Sequence, residues 1–105
     1  MAWVEVAKTD DVEEGKVLAV SAANKMIALY RIDGAFYATS DVCTHAFALL
    51  SDGYLDGDCI ECPIHQALFH VPTGEVRGEP ATEPLQTYPT KVEGAALLID
   101  VPADA

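Results

Sequence analysis

Turn-forming residues interrupt this chain so often that its apolar runs are all of strand length. Val17–Val20 and Met26–Ile32 are two such runs, and Asp33-Gly34 separates the second from Ala35–Thr39. An Asp-Gly pair between two apolar runs predicts a β-hairpin, because glycine tolerates the positive φ that a type I′ turn requires. The first third of the chain is therefore predicted to form antiparallel strands.

The same signals recur toward the C-terminus. Asp56-Gly57 separates the apolar residues at 54–55 from those at 59–60, and Glu93-Gly94 lies inside a last predicted hairpin. The one segment that could form a helical turn is Asp10–Glu14, and the same acidic stretch is equally compatible with a loop. A later stretch is interrupted by three prolines, Pro80, Pro84 and Pro89, which makes a long helix there unfavourable. We therefore predict an all-β protein with a sandwich-like or barrel-like antiparallel arrangement.

The composition limits the classes of partner. The chain has 105 residues, enough for a single domain over 1–105, and its net charge of −11 argues against binding to nucleic acid or to an anionic membrane surface. No apolar run approaches the roughly 20 residues of a membrane span. The N-terminus lacks the basic and apolar regions of a secretory signal, so we expect a cytoplasmic location. Three cysteines are too few, and odd in number, for a disulfide scaffold.

Two cysteine-histidine pairs indicate a metal site. Cys43-Thr44-His45 is followed, after sixteen residues, by Cys62-Pro63-Ile64-His65, and both lie in turn-prone segments. A zinc site is one interpretation of this donor set. The single residue between Cys43 and His45 is a tight spacing for chelating one ion, and it suits two side chains that bind different metal atoms.

This paired motif resembles that of the Rieske family, whose 2Fe–2S cluster has two histidines in place of two cysteines on one iron. The resemblance covers nearly the whole chain, extending through residues 50–57, 61–66, 69–74 and 81–89. It implies that Cys43 and Cys62 bind the inner iron and that His45 and His65 bind the outer iron. It also places the family's third loop near the cluster at about 78–81.

The resemblance is strongest to the small ferredoxins of bacterial aromatic-ring dioxygenase systems. It implies a Rieske fold with an antiparallel β-sandwich-like base and a small cluster-binding part, formed by two loops, at about 41–72. It further implies a monomeric electron carrier rather than an enzyme. The donor would be an FAD-containing ferredoxin reductase, and the acceptor a terminal Rieske non-haem iron oxygenase. The alternatives are the small Rieske subunit of a reductase, such as the nitrite reductase type, and a zinc-binding structural module.

The sequence departs from the respiratory members of the family at four positions. Those proteins carry a disulfide between the two cluster loops, and Ala48 and Ile64 stand at the matching positions, so this bridge cannot form. They also place a serine and a tyrosine near the cluster, where Ala67 and Phe69 stand here. Without those hydroxyls we expect a redox potential toward the lower end of the Rieske range of about −150 to +300 mV.

The remaining cysteine and histidine are expected to be structural. Cys59 forms a Cys-X-X-Cys pattern with Cys62, but it lies in a predicted strand where a thiol packs as a small hydrophobic group. His70 alternates with Phe69 and Val71 on another predicted strand and is expected to be a surface or hydrogen-bonded residue.

The pattern constrains the roles of several apolar residues less strongly. Phe47 is expected either to fill space between the cluster loops or to contact a redox partner. Leu49 and Leu50 lead into a predicted strand and are expected in the core. Trp3 and Tyr88 are expected to pack on a sheet.

Overall fold

Eleven strands and two single-turn 3₁₀ helices make up the secondary structure of the described residues in this computed structural model. The described residues are 2–44, 48–64, 67–78 and 83–101. The strands are β1 (Ala2–Lys8), β2 (Val17–Ala22), β3 (Lys25–Ile32), β4 (Ala35–Ser40), β5 (Tyr54–Asp56), β6 (Cys59–Glu61), β7 (Leu68–His70), β8 (Val76–Gly78), β9 (Thr87–Tyr88), β10 (Thr90–Glu93) and β11 (Ala96–Val101). The 3₁₀ helices span Thr9–Asp11 and Leu50–Asp52. Within these ranges, no helix has the length and apolar character needed to cross a membrane.

The strands form three antiparallel sheets, which confirms the all-β prediction. Two sheets, with strand orders β2-β3-β4-β9 and β1-β11-β10, enclose a core that we call the base core. The third sheet, β5-β6-β7-β8, carries the segment between the two cysteine motifs. Its strands are only three residues long, so this sheet depends on side-chain packing beneath it more than on its own hydrogen bonds.

The predicted hairpins form, with small changes in their bounds. Asp33 and Gly34 have φ values of 52° and 81°, as a type I′ turn between β3 and β4 requires. β5 extends through Asp56, so the turn into β6 begins at Gly57. The predicted helical turn at Asp10–Glu14 is a 3₁₀ helix one residue earlier, at Thr9–Asp11.

A second apolar cluster lies beneath the short sheet, and we call it the loop-side core. It includes Ile60 and Phe69 from the sheet, Tyr30 from β3, and both Cys43 and Cys62. β3 separates the two cores, because its residues alternate between them. Ile27 and Leu29 face the base core, whereas Ala28 and Tyr30 face the loop-side core.

Leu50 lies fully buried in the loop-side core as expected, but Leu49 is only half-buried. Tyr88 packs into the base core. Trp3 lies on the outer face of the β1-β11-β10 sheet, where its side chain is 42% exposed and the Lys91 ammonium lies 4.5 Å from its ring centroid. Val4, Val6 and Ala7 are the residues of β1 that pack on the base core, and alternation between Trp3 and Val4 turns Trp3 outward.

Candidate metal centre

The two predicted metal-binding motifs lie in loops that are closed in the same way. The Cys43 backbone N–H donates to the Ala48 carbonyl at 2.9 Å, and the Cys62 N–H donates to the Ala67 carbonyl at 2.8 Å. Each bond spans five residues and starts at the cysteine of its motif. His45 and His65 follow these cysteines inside the two loops, but both histidines, like Phe47, lie outside the described residues.

A buried carboxylate fixes the first loop to the sheet behind it. Asp41 is 1% exposed, and its two side-chain oxygens accept from the Ser51 N–H at 2.7 Å and the Ser51 hydroxyl at 2.9 Å. Its backbone N–H donates to Met26 of β3, and its carbonyl accepts from the Leu50 N–H. Asp41 thereby ties both ends of the first loop to each other and to β3, which limits how far Cys43 can move.

The second loop is the connection between two paired strands. Ile60 pairs with Phe69, and Glu61 pairs with Leu68, so β6 ends directly before Cys62 and β7 begins directly after Ala67. Gly53, the residue directly before β5, packs against this point. A Cβ at Gly53 would collide with the Glu61 carbonyl, so only glycine permits β5 to approach this closely.

A third segment reaches the first loop. The Thr44 hydroxyl donates to the Glu83 carbonyl at 2.7 Å, across 39 positions of sequence. Leu85, two residues later, is buried in the loop-side core, and its N–H donates to the Gly74 carbonyl. The third loop expected near the cluster starts at Gly78 of β8, and its remaining residues at 79–81 lie outside the described residues.

The two motif cysteines face each other in the loop-side core. Cys43 is 4% exposed and Cys62 is 0% exposed, and neither forms a disulfide. Burial raises the pKa of the Cys62 thiol, the Ile64 backbone N–H lowers it by donating a hydrogen bond to the sulfur, and the Cys43 side chain raises it by hydrogen bonding. Two buried sulfur ligands therefore lie together, and one of them already receives an amide hydrogen bond that would stabilise a thiolate.

The described part of this donor set fits the cluster that the motif implies. An iron that is bound by two cysteine thiolates requires their sulfurs to lie close together. The loop-side core places Cys43 and Cys62 together in surroundings from which water is excluded. Binding would release the thiol protons, because the thiolate is the ligand form.

Comparison with known proteins agrees with this geometry. Residues 2–89 match the family model described as the Rieske [2Fe-2S] domain. The chain belongs to the Rieske family. One Rieske-type 2Fe–2S cluster is therefore its cofactor.

Relatives of this Rieske domain include ferredoxin components. The chain is 46% identical to the ferredoxin component of the naphthalene 1,2-dioxygenase system of Pseudomonas putida, over 94% of this chain and 95% of that protein. Among solved structures, the Sphingomonas yanoikuyae B1 ferredoxin matches with a TM-score of 0.92 and 35% identity, covering 96% of this chain and all of that one. A complex of reduced oxygenase and oxidized ferredoxin in carbazole 1,9a-dioxygenase matches with a TM-score of 0.88 and 37% identity, covering 97% and 94%.

Several contacts that position the site could not be expected from the motif. Asp41 precedes Cys43 by two residues, but nothing in the sequence connects it with Ser51. The contact between Thr44 and Glu83 is equally remote in sequence. The carbonyls that accept the hydrogen bonds closing the two loops belong to Ala48 and Ala67. Alanine side chains have no polar group that would indicate such a role in the sequence.

Cys59 lies in a strand, as expected, but it does not enter the core. Ile60 occupies the inward position, so Cys59 faces the other side of the sheet and is half-buried. Its thiol donates to Asp58 Oδ1 at 3.7 Å, and burial and the Asp58 carboxylate raise its pKa. A redox-active thiol instead has a lowered pKa, which agrees with a structural role for Cys59.

His70 is a hydrogen-bonded strand residue, which confirms that expectation. Its Nε2 lies 2.9 Å from Asp58 Oδ2 and its Nδ1 lies 2.8 Å from the Thr73 hydroxyl. The His70 side chain therefore links the β5–β6 turn to the turn after β7. It lies on the opposite face of the short sheet from Phe69 and the loop-side core.

This link predicts that part of the free energy of unfolding depends on pH. The His70 hydrogen bond lowers the pKa of Asp58, so the unfolded state binds the proton more readily. The stabilising contribution is present above the unfolded pKa of about 3.9, and it is lost as the pH falls through the lower folded value. The difference in free energy of unfolding between the unmodified protein and Asp58→Asn should therefore be largest near pH 6 and shrink toward pH 3, as urea unfolding would measure.

Asp56→Asn is the matched control, because it removes the same charge from the same hairpin and leaves the His70 hydrogen bonds in place. Its effect on the free energy of unfolding should vary less with pH than that of Asp58→Asn. If the free energy of unfolding varied with pH in the same way in both variants, the hydrogen bond between His70 and Asp58 would not be the cause of the pH dependence.

Proposed function

We propose that this chain is the ferredoxin component of a bacterial aromatic-ring dioxygenase system. It would accept single electrons from an FAD-containing ferredoxin reductase and pass them to a terminal Rieske non-haem iron oxygenase. The observation that carries the proposal is the pair of buried thiols, Cys43 and Cys62, held together by two matched loops. The 46% identity to the P. putida naphthalene ferredoxin component, over almost the whole of both chains, supports the identity of the system. The chain is an electron carrier rather than a catalytic enzyme.

We further propose the residues that hold the cluster. Cys43 and Cys62 would bind one iron, and His45 and His65 the other, with the cluster-binding part at about 41–72 of one domain spanning 1–105. The cluster, when bound, supplies a one-electron redox couple. The protein's contribution is to bury the two thiolates away from water and to fix both loops through Asp41, Ala48 and Ala67, so that the ligands keep one arrangement in both redox states. We also propose that the protein is a cytoplasmic monomer.

Electron transfer can be measured directly with purified components. The protein should be brown-red, contain iron and sulfide, be reduced by an FAD-containing ferredoxin reductase, and be reoxidised by the terminal oxygenase of the P. putida naphthalene system. Stopped-flow absorbance follows both steps. A colourless protein containing zinc and no iron would contradict the proposal. Purification only as a stoichiometric complex with a large reductase subunit would favour the alternative of a reductase subunit.

A further inference from the structure

The Asp41 carboxylate is a buried negative charge with no cation paired to it among the described residues. Asp41 is 1% exposed, and it is the one acidic residue within the described ranges that is buried. Both of its oxygens accept hydrogen bonds from Ser51, at 2.7 Å from the N–H and 2.9 Å from the hydroxyl, as an ionised carboxylate does. The ion pairs of the described residues join Lys8 to Glu5, Arg77 to Glu75, Lys91 to Glu93 and His70 to Asp58.

This charge is held close to the first sulfur ligand. Asp41 precedes Cys43 by two residues, so their Cα atoms are at most about 7 Å apart. The Asp41 N–H donates to the Met26 carbonyl at 2.9 Å, and its own carbonyl accepts from the Leu50 N–H at 2.7 Å. The loop that follows is closed by the bond from Cys43 to Ala48. The carboxylate therefore has a fixed position relative to Cys43.

The electric field of Asp41 acts inside the loop-side core. Tyr30 lies in that core together with Cys43 and Cys62, and its side chain is fully buried. Burial raises the pKa of Tyr30, the hydrogen bond with Thr39 lowers it, and the Asp41 carboxylate raises it further. A carboxylate that disfavours a phenolate in this core also disfavours any other negative charge that is added there, because the protein interior screens charges weakly.

Reduction adds one negative charge in this region. Each electron that the chain accepts from the reductase would be held next to the thiolates of Cys43 and Cys62. Charge near an iron–sulfur centre is one of the factors that set its redox potential. Exposed carboxylates contribute little individually, because water and salt screen them, whereas burial removes Asp41 from this screening.

We propose that Asp41 lowers the midpoint potential of the cluster through its charge. This effect is separate from the hydrogen bonds by which Asp41 positions the first loop. It adds a second cause to the low potential expected from Ala67 and Phe69, and it makes the reduced protein a stronger electron donor. The inference rests on the function and the cysteine ligands proposed above, and it names a residue that regulates the redox couple.

Asp41→Asn separates the charge from the hydrogen bonds. The asparagine carbonyl accepts from the Ser51 N–H, and its amide donates to the Ser51 hydroxyl, so both contacts have a replacement. The midpoint potential should rise, with reduction favoured about tenfold more, which is ~59 mV for a one-electron couple. Voltammetry of the purified protein measures the potential without any partner protein, and the visible spectrum shows that the cluster is retained.

Two control variants separate the buried charge from net charge and from loop geometry. Asp52→Asn removes the same unit of charge one residue beyond Ser51, but Asp52 is exposed, so the equilibrium for reduction should change less than about twofold. Ser51→Ala removes the hydroxyl bond to Asp41 and keeps the charge. Its potential should stay the same or fall, because the carboxylate loses a partner that offsets its charge.

Ser51→Lys neutralises the same site with Asp41 in place, so it tests the inference even if Asp41→Asn does not retain the cluster. Its ammonium lies next to the carboxylate, and the potential should rise as in Asp41→Asn. The inference would be overturned by an unchanged potential in whichever of these two variants holds the cluster. An equal rise in Asp52→Asn or in Ser51→Ala would overturn it as well.

The unmodified protein distinguishes failure of this inference from failure of the proposed function. A colourless unmodified protein without iron would contradict the proposed function, and the inference would fail with it. A brown-red unmodified protein with the same midpoint potential as a brown-red Asp41→Asn variant would overturn the inference alone.

Discussion

Cys62→Ser is expected to yield a protein without visible colour and with iron reduced from two atoms per chain to almost none. Cys62 is fully buried beside Cys43, so no water or neighbouring carboxylate can replace the missing thiolate. A serine hydroxyl is a poor substitute, because iron–sulfur clusters are held by thiolates and a buried hydroxyl does not ionise near neutral pH. Iron analysis and the visible absorption spectrum measure the effect.

Cys59→Ser is the matched control, because the same chemical change is made three residues earlier on the outward face of β6. It should retain the iron and the spectrum, with at most a small change in thermal stability. Far-UV circular dichroism of both variants should show that the base remains folded. A coloured Cys62→Ser protein, or loss of iron from Cys59→Ser, would mean that the ligand assignment is wrong.

Gly53→Ala is expected to lower the free energy of unfolding more than a glycine-to-alanine substitution at any other glycine of this chain that has a negative φ. Its Cβ would collide with the backbone carbonyl of Glu61 and crowd that of Leu50. Backbone cannot rotate away as a flexible side chain can, so β5 must move off β6 directly before Cys62. Overpacking of this kind typically costs about 1–3 kcal/mol, and the strand displacement should also accelerate iron loss. Urea unfolding and the rate of bleaching under a chelator measure the two effects.

Gly57→Ala tests whether the effect comes from the collision or from the loss of a glycine. A Cβ at Gly57 meets no atom within 4 Å, and the substitution costs only the strain of its φ of +60°, about 1 kcal/mol. It should leave the bleaching rate unchanged, since it lies at the far end of the hairpin from Cys62. A bleaching rate as fast in Gly57→Ala as in Gly53→Ala would contradict the role assigned to the close approach of β5 and β6.

The local features of this fold could be predicted from the sequence because their causes are local. The turn at Asp33-Gly34 needs two positive φ values, and this dipeptide is one of the few that adopts them easily. The metal motif combines residue types whose chemistry leaves few alternatives at that spacing. The ligand role of His45 and His65 and the low redox potential stay predictions, and so does the role of Phe47.

Other features depend on which face of a strand meets the core, and the sequence does not decide this when neighbouring residues are both apolar. Cys59 and Ile60 are adjacent, so only one can point inward, and the larger residue does. Trp3 and Val4 are also adjacent, but here the smaller residue points inward, because Val4 and Val6 both pack against the base core. The contacts of Asp41 with Ser51 and of Thr44 with Glu83 arise only after the chain has folded.

The separation of the two cores by β3 has a consequence for how the protein matures in the cell. The base core takes all of its buried residues from segments outside the two cysteine loops, and its sheets pair the first strand of the chain with the last. We therefore expect the base to fold without bound iron. The cluster would then be inserted into a protein whose base is already folded. When iron is scarce, the apoprotein would persist in a folded form that can bind a cluster later.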